Sequence, residues 1–159
     1  MRPRIVVPVT LLVLALPIAA SAGMRTPGDG TLSVRDLDGY VLVQAKGGVI
    51  GRCDQCSLFV NELRGAEEIL PVVSGARGID IDQDDASERF RGKDLRWKVI
   101  GGSFTMIVRN GIDVDLSAVG KGRVAIFGSK GSYVLNGDQA ILVAPGPPPV
   151  QFLLSPTAP

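Results

Sequence analysis

Ile112-Asp113-Val114-Asp115-Leu116-Ser117-Ala118 alternates apolar with polar side chains without interruption. Successive side chains of a β-strand point to opposite faces, so this stretch predicts a strand with one face in a core and the other in water. Segments 95–99 and 103–108 alternate in the same way. The pattern predicts a β domain with these core residues: Leu32, Val34, Val41, Val43, Trp97, Val99, Phe104, Met106, Val108, Val114, Leu116, Val124, Ile126 and Leu135.

Short turn signals separate the apolar runs. Asn-Gly, Asp-Gly and Gly-Gly supply the positive φ angles of two-residue hairpin turns, and such pairs occur at Asp38-Gly39, Gly101-Gly102, Asn110-Gly111 and Asn136-Gly137. Four hairpins predict an antiparallel all-β domain, either a β-sandwich or a partly closed barrel. A β-solenoid is the alternative, but no steady repeat is present. Only segments 45–52 and 118–124 loosely resemble each other.

Four segments lack a clear core-strand pattern. Residues 61–70 have the composition of one or two helical turns, weakened by a glycine. The polar stretch 80–91 predicts a surface loop, and the proline-rich stretch 145–149 predicts extended chain. The apolar segment 150–154 then returns as an edge strand.

The N-terminus has the three parts of a secretory signal peptide. Arg2 and Arg4 precede an apolar run that ends in Ala20-Ser21-Ala22. This run is interrupted by prolines and is too short to span a bilayer. We therefore expect a signal peptide at residues 1–22, one β domain at residues 28–154 and a frayed tail at residues 155–159, in a secreted or extracytoplasmic protein with no stable membrane span after cleavage.

Composition excludes several kinds of chemistry. The chain has no histidine, which removes His-dependent nucleophile systems, general bases and metal ligands. The 17 basic residues fall to 15 when Arg2 and Arg4 are cleaved off, against 16 acidic residues. A near-neutral chain with scattered charges lacks the basic footprint of a nucleic-acid binder, so no nucleic-acid partner and no cofactor are expected.

Cys53-Asp54-Gln55-Cys56 is the one local motif with known chemistry. A disulfide is the favoured interpretation because exported proteins keep their cysteines paired. If segments 49–52 and 57–63 are the arms of a hairpin, the two cysteines face each other within bonding range. A thioredoxin-like redox pair, a zinc site completed by carboxylates and two free thiols remain as alternatives.

Carboxylates and aromatic residues supply three weaker candidate sites. Asp80, Asp82 and Asp84 have the alternate spacing of a calcium loop, but the required Gly and Glu positions are not matched. Asp113 and Asp115 share one strand face and are the candidate pair for a carboxylate-based hydrolase. Aromatic residues that form a candidate carbohydrate platform are Trp97, Tyr40 and Tyr133, although a single tryptophan at an alternating position favours the core.

The chain resembles a group of small exported β-rich bacterial proteins of unknown function, mainly of the high-GC Gram-positive type. The resemblance lies in segments 111–124, 92–97 and 133–137. The resemblance covers strand and turn patterns only, so it implies a fold and no activity. The sequence thus predicts a non-enzymatic structural or ligand-binding module with a cell-envelope or protein partner and no catalytic residues. The alternative is a secreted enzyme, either a carboxylate-based hydrolase or a CxxC thiol-disulfide protein.

Overall fold

The computed structural model describes residues 29–62, 71–82 and 87–155. Within these ranges the chain is all-β and antiparallel, as the alternation predicted. The strands are β1 Gly30–Glu62, β2 Val72–Asp82, β3 Ser87–Leu135, β4 Ile141–Leu142 and β5 Val150–Leu154. β3 pairs with each of the other four. The predicted signal peptide, residues 1–22, and almost all of the predicted helical segment lie outside the described residues.

β1 and β3 form a two-stranded ribbon that winds around itself. Val43 pairs with Met106 on one side and with Val124 on the other, and these partners lie 18 residues apart in β3. Eighteen extended residues span roughly 60 Å, whereas two strand spacings measure only about 10 Å. The ribbon must therefore complete one turn over this length, which creates two facing layers around one core.

Residues with positive φ mark the bends between the layers. At one bend Gly47 (φ 152°) pairs with Gly120 (φ 148°). A Cβ on either glycine would overlap the opposite backbone, at the carbonyl oxygen of Val119 or of Lys46. Only glycine permits this close approach. The two similar segments of the sequence, 45–52 and 118–124, are the strands that meet here.

The core between the layers contains the side chains that alternation placed there, except Ile112, which is 45% exposed and lies beside the positive-φ residue Asp113. Thirteen of the fourteen predicted core residues are buried, and Leu135 is partly buried and packs against them. Trp97 belongs to this core at 3% exposure.

Three of the four predicted hairpins are wrong. Asp38-Gly39, Gly101-Gly102 and Asn110-Gly111 are bends inside continuous strands, because the segments on either side pair with another strand and not with each other. Asn136-Gly137 does connect paired strands, with Tyr133 opposite Ile141. Positive φ lets the chain bend, and the distant partner strand decides whether it also reverses.

The predicted surface loop at residues 80–91 is also wrong at its two ends. Asp80 pairs with Arg89, and the β2–β3 ladder continues to Asp82 and Ser87. The edge strand expected at residues 150–154 is confirmed as β5, which pairs with residues 122–126. With β2 at one edge and β4 and β5 at the other, the sheet is not closed into a barrel.

The two layers present different outer surfaces. We call one the aromatic face, formed by the outward side chains of segments 40–46, 57–61, 87–91, 103–109 and 121–127. We call the other the ion-pair face, formed by the outward side chains of segments 31–35, 48–52, 95–99, 114–118 and 132–135. Alternation assigns the direction: Val41 and Val43 are buried, so Tyr40 and Leu42 point outward.

Candidate anion-binding site

A cavity of about 730 Å³ opens where the aromatic face meets a line of bends. β1, β2 and β3 all contribute to its wall, which is lined by Gln55, Cys56, Ser57, Phe59, Arg77, Arg89, Arg91, Gly92, Lys93, Arg109 and Asn110.

Strand register explains how the cationic side chains come together. Ser57 pairs with Arg91 on one side and with Arg109 on the other. Since neighbouring strands lie about 4.8 Å apart, the two arginines are attached roughly 10 Å apart and flank the serine hydroxyl. Two residues further along β1, on the same side of the strand, Phe59 pairs with Arg89 and supplies an apolar wall.

Among the residues that the structure describes, the cavity wall carries five cations and no acid. The lining cations are Arg77, Arg89, Arg91, Lys93 and Arg109. None of the five forms an ion pair within the described ranges. Asp80 is the opposite residue to Arg89 in the ladder, yet the two are not ion-paired. The wall therefore holds positive charge that the described part of the protein does not neutralise.

Four of the five cations are arginines, and this choice has chemical consequences. A guanidinium presents donors in a planar fork that matches carboxylate, sulfate or phosphate oxygens, and it is less strongly hydrated than an ammonium. Arg89 is partly buried and Arg77, Arg91 and Arg109 are exposed, so solvent ions reach all four. The arrangement suits an oxyanion at the mouth and an uncharged group against Phe59.

Asp115 lies on the ion-pair face and is one of the two predicted hydrolase carboxylates. Arg52 donates to its Oδ2 from Nε at 2.9 Å and from Nη2 at 2.7 Å, and the Asp36 amide donates to its Oδ1 at 3.0 Å. Burial acts to raise the pKa of Asp115, but the Asp36 amide and Arg52 outweigh it and hold the pKa below its ordinary value. Asp115 is thus an ionised structural acceptor.

Asp113, the other predicted hydrolase carboxylate, has a different cation. Lys130 donates to its Oδ1 at 2.8 Å and lies 3.9 Å from Asp38. The hydrogen bond from Lys130 raises the pKa of that lysine, while the Asp113 amide donates to Asp38 at 3.0 Å. Each of the two carboxylates is therefore held by its own cation, and neither lines the cavity.

Cys53 and Cys56 are bonded, with an S–S distance of 2.04 Å and Cα atoms 6.2 Å apart. The predicted hairpin geometry is wrong, because Cys53 pairs with Leu95 and Cys56 with Gly92. The disulfide instead spans the bend by which β1 passes from the ion-pair face to the aromatic face. Both cysteines are buried, at 2% and 5% exposure, and Cys56 contributes to the cavity wall.

The remaining candidates are dispersed by the fold. Asp80 lies in β2, whereas the side chain of Asp82 and all of Asp84 lie outside what the structure describes. Across the described ranges, no group of three or more Asp, Glu or Cys side chains is placed to hold a metal ion. The carbohydrate platform is not assembled as expected, since Trp97 and Tyr133 are buried and only Tyr40 points outward.

Sequence reasoning missed the cavity because its cations come from separate segments. Arg77 and Arg109 are isolated in the sequence and meet only through the register. One signal was present: Arg89, Arg91 and Lys93 occupy alternate positions, which places cations on one face of a strand. That signal was obscured by the assignment of residues 80–91 to a loop.

Comparison with known proteins finds no matching family, no matching curated protein and no matching solved structure. No helix long and apolar enough to cross a bilayer is present in the part of the chain that the structure describes.

Proposed function

We propose that this protein is an exported, non-enzymatic ligand-binding module that holds an anionic ligand in the cationic cavity. The supporting observation is a set of five cations around one concave surface. None of them is ion-paired with another described residue, and no described residue of the lining is acidic. The bidentate geometry of guanidinium favours carboxylate, sulfate or phosphate groups. Export follows from the predicted signal peptide and agrees with a disulfide, which forms in oxidising compartments.

The experiment is isothermal titration of citrate and of inorganic pyrophosphate into the mature chain at low ionic strength. Both anions are expected to bind, with an affinity that falls as salt is added because exposed charges are screened. Arg91→Gln combined with Arg109→Gln removes the two cations that flank Ser57, and we expect binding to fall at least about tenfold. Losing one charge-assisted contact of roughly 1.5–3 kcal/mol already predicts this.

Arg96→Gln is the matched control. Arg96 is an exposed arginine on the ion-pair face, opposite Arg52 in the ladder and outside the cavity. This variant has the same charge change per site and is expected to bind both anions as the wild type does. Because the control removes one charge and the double variant two, a control that loses half as much binding free energy as the double variant, or more, would reduce the effect to net charge and overturn the proposal. The absence of binding to the wild type would overturn it as well.

A further inference from the structure

The outer surface beside the cavity carries a row of side chains that changes character along its length. Arg91, Ser57 and Arg109 form its first part through direct pairing. Gly39 pairs with Gly111, and Val41 pairs with Val108. One β1 residue, Tyr40, lies between these pairs, and it is opposite two β3 residues, Arg109 and Asn110. The row therefore continues from the cavity to Tyr40.

Phe127 ends this row on the next strand, where it pairs with Tyr40. Its side chain is 38% exposed, and that of Tyr40 is partly exposed. Five strand segments, three from β3 and two from β1, lie side by side in the row. Their spacing gives the row a length of about 19 Å. Cations occupy the first part, and two aromatic rings occupy the second, where Tyr40 adjoins position 109 and Phe127 follows it.

The next row of the same face is apolar. Phe59 pairs with Ile107, and Leu42 pairs with Ile107 and Ala125. The row ends at the uncharged but polar Gln151, which pairs with Ala125. These outward side chains lie alongside the aromatic pair and carry no charge except at the cavity end, where Arg89 pairs with Phe59. A ligand that follows the face thus meets positive charge at one end and ring and aliphatic surfaces at the other.

We propose, building on the anion-binding function, that the ligand is an acidic polysaccharide whose chain extends from the cavity across the aromatic face. Carboxylates of uronic acid residues pair with Arg91 and Arg109. The next sugar residues lay their C–H faces on the rings of Tyr40 and Phe127. The two arginines bind the acidic sugars by charge complementarity. The two aromatic rings bind the less polar sugars that follow in the chain.

A single-stranded nucleic acid is the less suitable occupant for an electrostatic reason. It carries a phosphate at every nucleotide, so its binding groove needs cations that follow the whole backbone. In the row from Arg91 to Phe127 the cations stop at Arg109. The exposed Lys46 and Arg123 of the same face lie outside this row, and the full chain has a formal net charge of only +1. An acidic glycan tolerates this pattern because its charges are carried on sugar rings with apolar faces.

The test compares glucuronic acid with hyaluronan oligosaccharides of increasing length, in which each uronic acid alternates with an uncharged sugar, titrated into the mature chain. We expect the affinity to rise with length until the row is spanned. Tyr40→Ala with Phe127→Ala is expected to weaken binding of the longest oligomer about tenfold, the effect of losing two aromatic contacts of roughly 0.5–1.5 kcal/mol each. The same variant binds the monomer and citrate like the wild type.

Phe127→Leu is the second variant and keeps an apolar side chain while removing the ring face. It is expected to weaken the oligomer severalfold and to retain the wild-type melting temperature, which separates ring contact from misfolding. Equal affinity for monomer and oligomer, with no effect of either aromatic variant, would overturn the polysaccharide proposal and leave the anion site standing. Tighter binding of oligothymidylate through the same rings would overturn it in favour of nucleic acid. Failure of citrate to bind identifies failure of the anion site itself.

Discussion

Arg52 and Arg91 illustrate two uses of the same side chain on opposite faces of one molecule. Arg52 holds Asp115, a carboxylate that is only 12% exposed, and it donates twice to one oxygen. Arg91 has no ion-pair partner among the described residues and lines a cavity with four further cations. The first arginine satisfies a buried acid and is part of the fold. The second is kept in place by its strand and is free to bind an external anion.

This contrast predicts that removing a buried charge from the ion-pair face lowers the free energy of unfolding, whereas removing charge from the cavity does not. Asp115→Ala leaves the Asp36 amide and the Arg52 guanidinium without their acceptor, so we expect unfolding free energy to fall by about 2–3 kcal/mol. Denaturant unfolding measures the change. Lys130→Ala is the control, because its pair with Asp113 is exposed and is expected to contribute under about 1 kcal/mol. Equal losses in the two variants would contradict a special structural role for Asp115.

Lowering the pH tests the structural role of Asp115 in a second way. The pKa of Asp115 is lowered in the folded state, so its stabilisation is complete above the unfolded value of about 3.9 and is lost as pH falls through the folded value. The stability gap between the wild type and Asp115→Asn is therefore expected to shrink as pH is lowered from about 5 to about 2. Thermal melts across that range measure it. A gap that stays constant would show that the pKa of Asp115 is the same in the folded and unfolded states, which contradicts its stabilisation by the Asp36 amide and Arg52.

The disulfide connects the two faces at one bend of β1, and its removal is expected to have a smaller effect. Cys53→Ala with Cys56→Ala opens a loop of only four residues, which constrains the unfolded chain little, so the expected loss is about 1–2 kcal/mol. Reduction of the wild type provides an independent measurement by the same melt. A loss as large as that of a truncated core residue would mean that the bridge holds the whole bend in place.

The smallest expected effect is the stability change on the cavity side. Arg91→Gln with Arg109→Gln breaks no ion pair in the described structure and relieves repulsion between like charges, so the unfolding free energy should change by no more than about 0.5 kcal/mol, in the stabilising direction. Denaturant unfolding in the absence of ligand tests this. Marked destabilisation would place these arginines in the same structural category as Arg52.

Local pattern in the sequence was sufficient for the strands and for the core. Val114 and Leu116 are buried because alternation is a property of neighbouring residues. The bends at Gly101 and Asn110 were located but misread as hairpins, because reversal depends on pairing partners far away in the chain. Most of the cavity could not be predicted for the same reason: Arg77 and Arg109 come to line one cavity only after the ribbon winds.

The wound ribbon also sets the order in which this chain can fold. Leu32 pairs with both Ala118 and Leu135, so the first strand acquires its partners only when the last long strand is complete. Such distant pairing lengthens the search for the native contacts and slows folding. Synthesis of the N-terminal half alone therefore gives β1 no complete ladder to join. The sheet can therefore form completely only after the C-terminal part of β3 is present, and the availability of that segment limits when the whole domain can fold.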